Sequence, residues 1–323
     1  MNFRLLALLG ISLGMFLPGV SLGNPTQVYK GTAHDAFYGL CTSGMQQIAV
    51  GDAGLILESQ DAGGNWTETE SFTDSALLDV SCGNDISLIV GQKGAIYRRS
   101  TENYQAVSSG TDERLLGVSD VSSDGLAFAV GGFGTVLRST DGGLNWQSLT
   151  LDWPKLTNDF FEPHLYDVHV ADTGIVTIVG EFEMVIQSAD QGDSWEAKHI
   201  GEASLFGLSL HGNGVGFAVG QNGKILKTAD GGQTWKQVDS PGTGILLNVW
   251  NSEAGDVLIS GIRNMLHSAD SGATWERIDQ GDLSTGWYQG LSVIDEGNSM
   301  GASALLAGHG GSLIKLKLEK NKN

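Results

Sequence analysis

A Ser/Thr-x-Asp-x-Gly-x-x-Trp pattern recurs five times along the 323-residue chain, and nothing else in the sequence restricts the fold as tightly. The copies begin at Ser59, Ser139, Ser188, Thr228 and Ser268. They pair Asp61 with Trp66, Asp141 with Trp146, Asp190 with Trp195, Asp230 with Trp235 and Asp270 with Trp275. The last four follow at steps of 49, 40 and 40 residues, and a degenerate sixth copy reads Ser100-x-Glu102-x-Tyr104. A second landmark, a small pair ending in Gly, stands at Val50-Gly51, Val90-Gly91, Val130-Gly131, Val179-Gly180, Val219-Gly220, Ser260-Gly261 and Ala307-Gly308. Self-similarity at 40 to 50 residues belongs to propellers or to helical solenoids.

The local texture selects the propeller. Short apolar runs such as Gly216 to Val219, Lys224 to Lys227 and Trp235 to Val238 are strand-length and bounded by turn residues. No stretch after the first 23 residues sustains a helical period. Gly at 47 residues and Pro at 5 suit a turn-dense all-β chain. Seven repeats of four short strands predict one seven-bladed β-propeller over residues 24–323. Each blade has an inner strand (Leu247 to Trp250), a second ending in Val-Gly, a third after a tight turn such as Gln221-Asn222-Gly223, and an outer strand after the Asp-Gly-Trp turn. The last repeat ends at Leu313 to Leu316 without such a turn, so Gln27 to Lys30 is expected to supply its outer strand and close the ring.

Residues 1–23 read as a secretory leader, with Arg4, an apolar run from Leu5 to Leu17 and small residues at Ser21 and Gly23. Asn24 is then the mature N-terminus. The run is short for a membrane span, and no Cys follows it for a lipid anchor. Loss of Arg4 takes the net charge from −19 to −20, which excludes a basic nucleic-acid groove. Cys41 and Cys82 lie 10 and 9 residues before Gly51 and Gly91, at nearly equivalent places in neighbouring blades. A bridge between them would tie those blades together in an oxidising compartment.

The Ser-x-Asp-x-Gly-x-x-Trp element is the Asp-box motif. Joined to Val219-Gly220-Gln221-Asn222-Gly223-Lys224-Ile225-Leu226, it resembles the photosystem II stability and assembly factor family over almost all of the mature chain. The resemblance implies a seven-bladed propeller that binds a membrane-protein client during assembly. In photosynthetic members arginines preceding the Asp-box Ser form part of the client surface. Those positions here hold Glu58, Arg99, Arg138, Gln187, Lys227 and His267, so the basic pattern is half kept.

The Asp boxes themselves read as structure: Asp accepts N–H bonds in its own turn, Gly frees the backbone and Trp packs between sheets. Sialidases also carry such boxes, but three substrate-clamping arginines are not arranged here. A carboxylate pair at Glu181 and Glu183 replaces ordinary turn residues, and His164 and His169 complete no zinc set. Three surface candidates remain. The first is the insertion carrying Trp153, Phe160, Phe161 and His164, which either anchors a client or covers a blade edge. The second is the lengthened connection with Trp287 and Tyr288, and the third is the basic set Arg99, Arg138 and Lys227. The chain is therefore expected to be a cofactor-free, non-catalytic periplasmic scaffold, a monomer alone, with a membrane or envelope protein as client. The alternative is a glycan-binding or glycan-hydrolysing propeller.

Overall fold

The computed structural model describes residues 20–83, 85–100, 103–157, 160–295 and 302–320. Seven antiparallel sheets form a ring, six with four strands and the last with five. The inner strands are Phe37–Ser43, Leu77–Gly83, Leu115–Val118, Leu165–Val170, Leu205–Leu210, Leu246–Asn251 and Tyr288–Asp295. Each packs on the next, and the seventh returns to the first, so these strands surround the axis. We number the blades 1 to 7 in that order.

Closure happens as the missing seventh outer strand requires. Thr26–Lys30 pairs antiparallel with the third strand of blade 7, Ser312–Lys320. That third strand runs nine residues. Its far half also takes Val20–Leu22, with Leu22 opposite Leu318. Residues 1–19 of the expected leader lie outside the described residues. Cleavage after Gly23 would remove the Val20–Leu22 pairing and leave Thr26–Lys30 in place.

The core lies between neighbouring sheets. Second strands such as Ala127–Gly131, Val176–Gly180 and Val257–Gly261 are buried along their whole length, because both faces of each sheet are covered. Phe128 of blade 3 packs with Ile178 and Ile186 of blade 4, and Phe217 of blade 5 with Leu246 and Ile259 of blade 6. Each such ring, fully buried, stabilises by about 1.5–3 kcal/mol.

The Val-Gly landmark has a steric cause. At all seven glycines, from Gly51 to Gly308, an added Cβ would lie no more than 2.5 Å from the carbonyl oxygen just before the inner strand. The next residue donates its N–H to that same carbonyl, as Asp52 does to Ala36 and Gln221 to Ser204, both at 2.9 Å. Only a residue without a side chain lets the chain close there. These turns lie at one end of the ring with the connections from outer to next inner strand, which we call the connection face. The opposite end, the box face, holds the Asp-Gly-Trp turns.

Candidate interaction face

On the box face the polar groups are used up locally. In blade 1 the Ser59 hydroxyl accepts from Gly63 N–H at 3.0 Å, Asp61 Oδ1 accepts from Asn65 N–H at 2.8 Å, and the Trp66 indole donates to Gly63 O at 3.1 Å. The same bonds recur from Ser139, Ser188 and Thr228. Those at Ser268 and Asp270 repeat them without a partner for the Trp275 indole. Backbone and side-chain bonds from Asn65 hold the Asp61 carboxyl down to about 2, and bonds from Ser194 and Thr234 do the same for Asp190 and Asp230. Carboxylates so saturated serve their turns and have no lone pair aimed at a common substrate.

Strand pairing corrects the alignment of blade 2. Arg99 faces Ser87 across the sheet, as Ser59 faces Gln47 and Ser139 faces Ala127. Arg99, not Ser100, therefore stands where the other blades carry the box Ser, and Arg98 is the counterpart of Arg138. The corrected register exposes a circumferential set of ties that the sequence did not suggest. Arg98 Nε donates to Gly142 O at 2.6 Å and Arg138 Nη1 to Gln191 O at 3.0 Å. Gln187 Nε2 donates to Gly231 O at 2.8 Å, Lys227 Nζ to Ser271 O at 2.6 Å and Lys315 Nζ to Ala62 O at 3.0 Å. Every acceptor is the fourth residue of the next blade's box. Each tie is worth about 0.5–1.5 kcal/mol.

Blade 2 has no box for Glu58 to address, and there the polarity reverses. Arg99 Nη1 lies 2.7 Å from both Glu58 carboxylate oxygens, and the Tyr104 hydroxyl donates to Glu58 at 2.9 Å. A cleft of about 720 Å³ between blades 1 and 2 opens beside this pair. The expectation of a basic client surface at Arg99, Arg138 and Lys227 is thus corrected: their cationic heads are committed between blades. At the inner end of the same blade junction Cys41 and Cys82 form a disulfide with Cα atoms 5.6 Å apart.

Around the axis one inner-strand position reads Gly39, Asp79, Gly117, Asp167, Gly207, Asn248 and Gly290, at the bulge of each blade. Where Gly stands, the next strand is too close for a side chain: a Cβ on Gly39 would sit 2.8 Å from Asp79 Cα, and on Gly207 2.7 Å from Asn248 Cα. Where Asp stands, the carboxylate reaches the following blade, Asp79 Oδ2 accepting from Val118 N–H at 2.9 Å and Asp167 Oδ2 from Leu208 N–H at 2.8 Å. Seven is odd, so the alternation fails once, at the Gly290 and Gly39 neighbours where the ring closes. Burial, with the charge of Asp167, pushes Asp79 up to about 8, and burial pushes Asp167 up to about 7. Both stay partly accessible through the channel.

The connection face differs in kind. Nine large apolar residues are exposed among the described residues, and seven of them lie here: Phe72, Phe133, Phe160, Phe182, Ile200, Ile245 and Ile262. Phe133 and Phe182 occupy the tips of the tight turns of blades 3 and 4, at φ of 50° and 61°. Asn222 fills that place in blade 5. Left-handed backbone costs an L-residue roughly 1–2 kcal/mol, and Ala53, Lys93 and Arg263 bear the same cost at this place in blades 1, 2 and 6.

The insertion separates into two roles. Trp153 opens a short helix, Trp153–Thr157, and is buried with Leu156 against Val130, Met184 and Leu165. It cannot meet a client directly, and this part of the insertion covers the junction of blades 3 and 4. Phe160, in contrast, is 90% exposed. Phe161 packs on Phe182 at 4.6 Å between ring centres, and His164 on Phe133 at 4.8 Å. His164 Nδ1 accepts from Phe133 N–H at 3.1 Å, and the His164 backbone N–H donates to Glu181 Oε2 at 2.8 Å. Phe161 and His164 thus join the turn-tip phenylalanines Phe182 and Phe133, which the repeat pattern does not mark, next to Phe160 in the chain. In the second connection Trp287 is half-buried and stacked on Tyr38, while Tyr288 is buried with its hydroxyl on Asp282 at 3.0 Å. Tyr288 is corrected to a core residue.

Glu181 and Glu183 do not form a reacting pair. Glu181 caps the insertion through His164. Burial alone would raise the Glu183 carboxyl, but Lys224 at 3.0 Å and His199 at 3.2 Å hold it below its ordinary value. Among the described residues no cluster of three or more His, Cys, Asp or Glu is placed to hold a metal ion.

Comparison with known proteins agrees with this architecture. Residues 200–300 match the family model described as photosynthesis system II assembly factor YCF48. No curated protein matches the chain. Among solved structures, YCF48 from Cyanidioschyzon merolae superposes with a TM-score of 0.70 at 18% identity, covering 93% of this chain and 100% of that one. A structure of YCF48 bound to D1 peptide gives 0.68 at 17% identity, covering 94% and 99%. The WD40 propeller domain of Doa1 gives 0.69 at 13% identity, covering 94% and 98%. The ring architecture is thus shared beyond any one family, while the family match spans blades 5 and 6 and the inner strand of blade 7. Residues 200–300 are thus similar to the photosystem II assembly factor family, and the ring that contains them has the fold of two solved YCF48 structures.

Proposed function

We propose that the chain is an exported, non-catalytic scaffold that holds a protein client on its connection face. The observation that carries this reading is the segregation of exposed apolar side chains, seven of nine on one end of the ring. Apolar side chains gathered on one face mark interaction sites on proteins of this kind. The YCF48 solved with D1 peptide is a propeller of the same fold that binds a protein segment, and so supports the class of ligand. Export to the periplasm, with a membrane or envelope protein as client, rests on the leader pattern at residues 1–23 and on the Cys41–Cys82 bridge, which persists in oxidising compartments.

The test is a crosslinking pull-down from the native envelope with the mature chain, compared with a Phe133→Ser, Phe160→Ser, Phe182→Ser variant. A membrane protein recovered by the first and lost by the second supports the reading. Equal recovery by both would move the client to another surface, and recovery of none would overturn the scaffold assignment. N-terminal sequencing of the exported protein checks cleavage before Asn24.

A further inference from the structure

Phe133, Phe160, Phe161 and Phe182 are ringed by carboxylates. Glu162 follows Phe161 directly and is exposed. Glu113 is exposed on the neighbouring connection, and its Oε2 would lie 3.6 Å from a Cβ placed on Gly132, the residue before Phe133. Glu181 precedes Phe182, with one carboxylate oxygen bonded to His164 N–H. Glu202 is exposed beside Gly201, whose N–H donates to Phe182 O at 2.6 Å. Nearby cations are fewer, although Arg114 acts on Tyr166 as Glu181 does, with opposite sign. Lys224 is bound to the buried Glu183, while Arg114 and Lys155 remain exposed.

Resting on the client-binding reading, we propose that this patch over blades 3 and 4 takes a cationic apolar segment of the client, in which aromatic or aliphatic side chains are flanked by Lys or Arg. Two independent features support it. The turn-tip position that holds Ala53, Lys93, Asn222 and Arg263 in blades 1, 2, 5 and 6 holds exposed phenylalanines in blades 3 and 4, so the turn itself does not call for an aromatic side chain there. The rim charge is negative on a chain whose net charge is −19, so the patch attracts basic segments and repels acidic ones. The rim sets which segment is accepted, and the phenylalanines supply the buried contact.

The experiment uses the full mature chain and two fluorescent peptides with one common apolar core of Phe, Leu and Trp. One peptide has Lys-Lys flanks and the other Glu-Glu flanks. Anisotropy titrations should show the lysine peptide binding at least tenfold tighter, with affinity falling several-fold from 50 to 300 mM salt. A Glu113→Gln, Glu162→Gln, Glu202→Gln variant should keep its melting temperature and lose that preference. The Phe133→Ser, Phe182→Ser variant should lose binding of both peptides. Equal binding of the two peptides, or a preference unchanged in the Gln variant, overturns the proposed specificity while leaving the client reading intact. If neither peptide binds although the envelope pull-down still depends on the phenylalanines, the segment class is wrong and the face is right. Self-association lost in the phenylalanine variant, seen by sedimentation, would instead assign the patch to a second copy of the chain and overturn the proposal.

Discussion

Replacing Asp79 by Asn should weaken the protein in acid and strengthen it in mild base. The folded carboxyl is pushed up to about 8, whereas in the unfolded chain it titrates near 4. Between those values the unfolded chain has released its proton and the folded chain has kept it. Stability is therefore intact below about pH 4 and falls as pH rises to about 8. One carboxylate contributes at most about 1.4 kcal/mol per pH unit, and channel water reaching Asp79 reduces this, so we work with about 2–3 kcal/mol lost by pH 8. The amide removes that titration. Asn248 shows how an amide fits the same position: its oxygen accepts from Val249 N–H at 2.8 Å and its nitrogen donates to Gln289 O at 2.9 Å. What the Asp79→Asn variant would forfeit is the bond from Val118 N–H, about 1–1.5 kcal/mol. The balance is a loss of about 1 kcal/mol at pH 4.5 and a gain of about 1–2 kcal/mol at pH 8. Denaturant unfolding followed by tryptophan fluorescence at pH 4.5, 6 and 8 should give stability curves for wild type and variant that cross. Parallel curves would refute the reasoning, because they would mean that Asp79 is already ionised in the folded ring.

The other predictions concern the junction of blades 1 and 2, the ring closure and the insertion. Opening the Cys41–Cys82 bridge, which spans 41 residues, should cost up to about 4 kcal/mol on the chain-entropy estimate, read as a lower denaturation midpoint of the double Ala variant or of the reduced protein. Arg99→Ala leaves Glu58 without its cation and should cost about 2–3 kcal/mol, while the paired change of Arg99 to Met and Glu58 to Gln should recover most of that loss in a double-mutant cycle. Deleting residues 24–30 exposes the third strand of blade 7 and should cause aggregation on light scattering, whereas a chain beginning at Asn24 stays monodisperse. Trp153→Ala should cost about 3–5 kcal/mol with cooperative thermal unfolding at a lower temperature, and Phe160→Ala should leave the melting curve unchanged.

Much of the fold was legible because each blade repeats one steric problem. The close carbonyl behind Gly51 and its six counterparts admits only Gly, so the seven Val-Gly-type pairs gave blade count, spacing and the absence of an eighth. The lone outer strand also followed, since blade 7 has no turn to build its own. Blade 2 was read one residue out of register because Arg98-Arg99 offers two candidates for one place, and no box Gly or Trp fixes the choice. Lys315 escaped notice for the same reason: without a box in blade 7, nothing in the sequence marks its equivalence to Arg138. The Gly and Asx alternation around the axis was present in the sequence, but turns of different length between inner and second strands shift its distance from each landmark. Trp153 and Phe160 could not be told apart, because an irregular insertion has no periodicity from which burial can be read.

The two ends of the ring answer different physical demands. Blades must be tied to their neighbours, and the box face does this with a side chain from each third strand reaching the next blade's turn. Blade 2 tests that requirement. Its turn carries none of the box Ser, Gly and Trp, and Glu58 holds the place from which the other blades donate. The substitution found there is a carboxylate facing Arg99 and Tyr104 across the same gap. A tie is kept while its chemistry is inverted, which argues that the box matters as an acceptor for the neighbouring blade rather than as a site of its own. Arg98, Arg99, Arg138, Lys227 and Lys315 are then spoken for, and a client approaching them would have to break the ring's own bonds. No such cost attaches to the connection face, where Phe133, Phe160 and Phe182 keep exposed apolar surface that gains free energy when covered. The same left-handed turn position holds Ala53, Lys93, Asn222 and Arg263 in blades 1, 2, 5 and 6. Asn222 shows that the same turn closes without an aromatic side chain, so folding does not require phenylalanine there, and binding is the demand that remains.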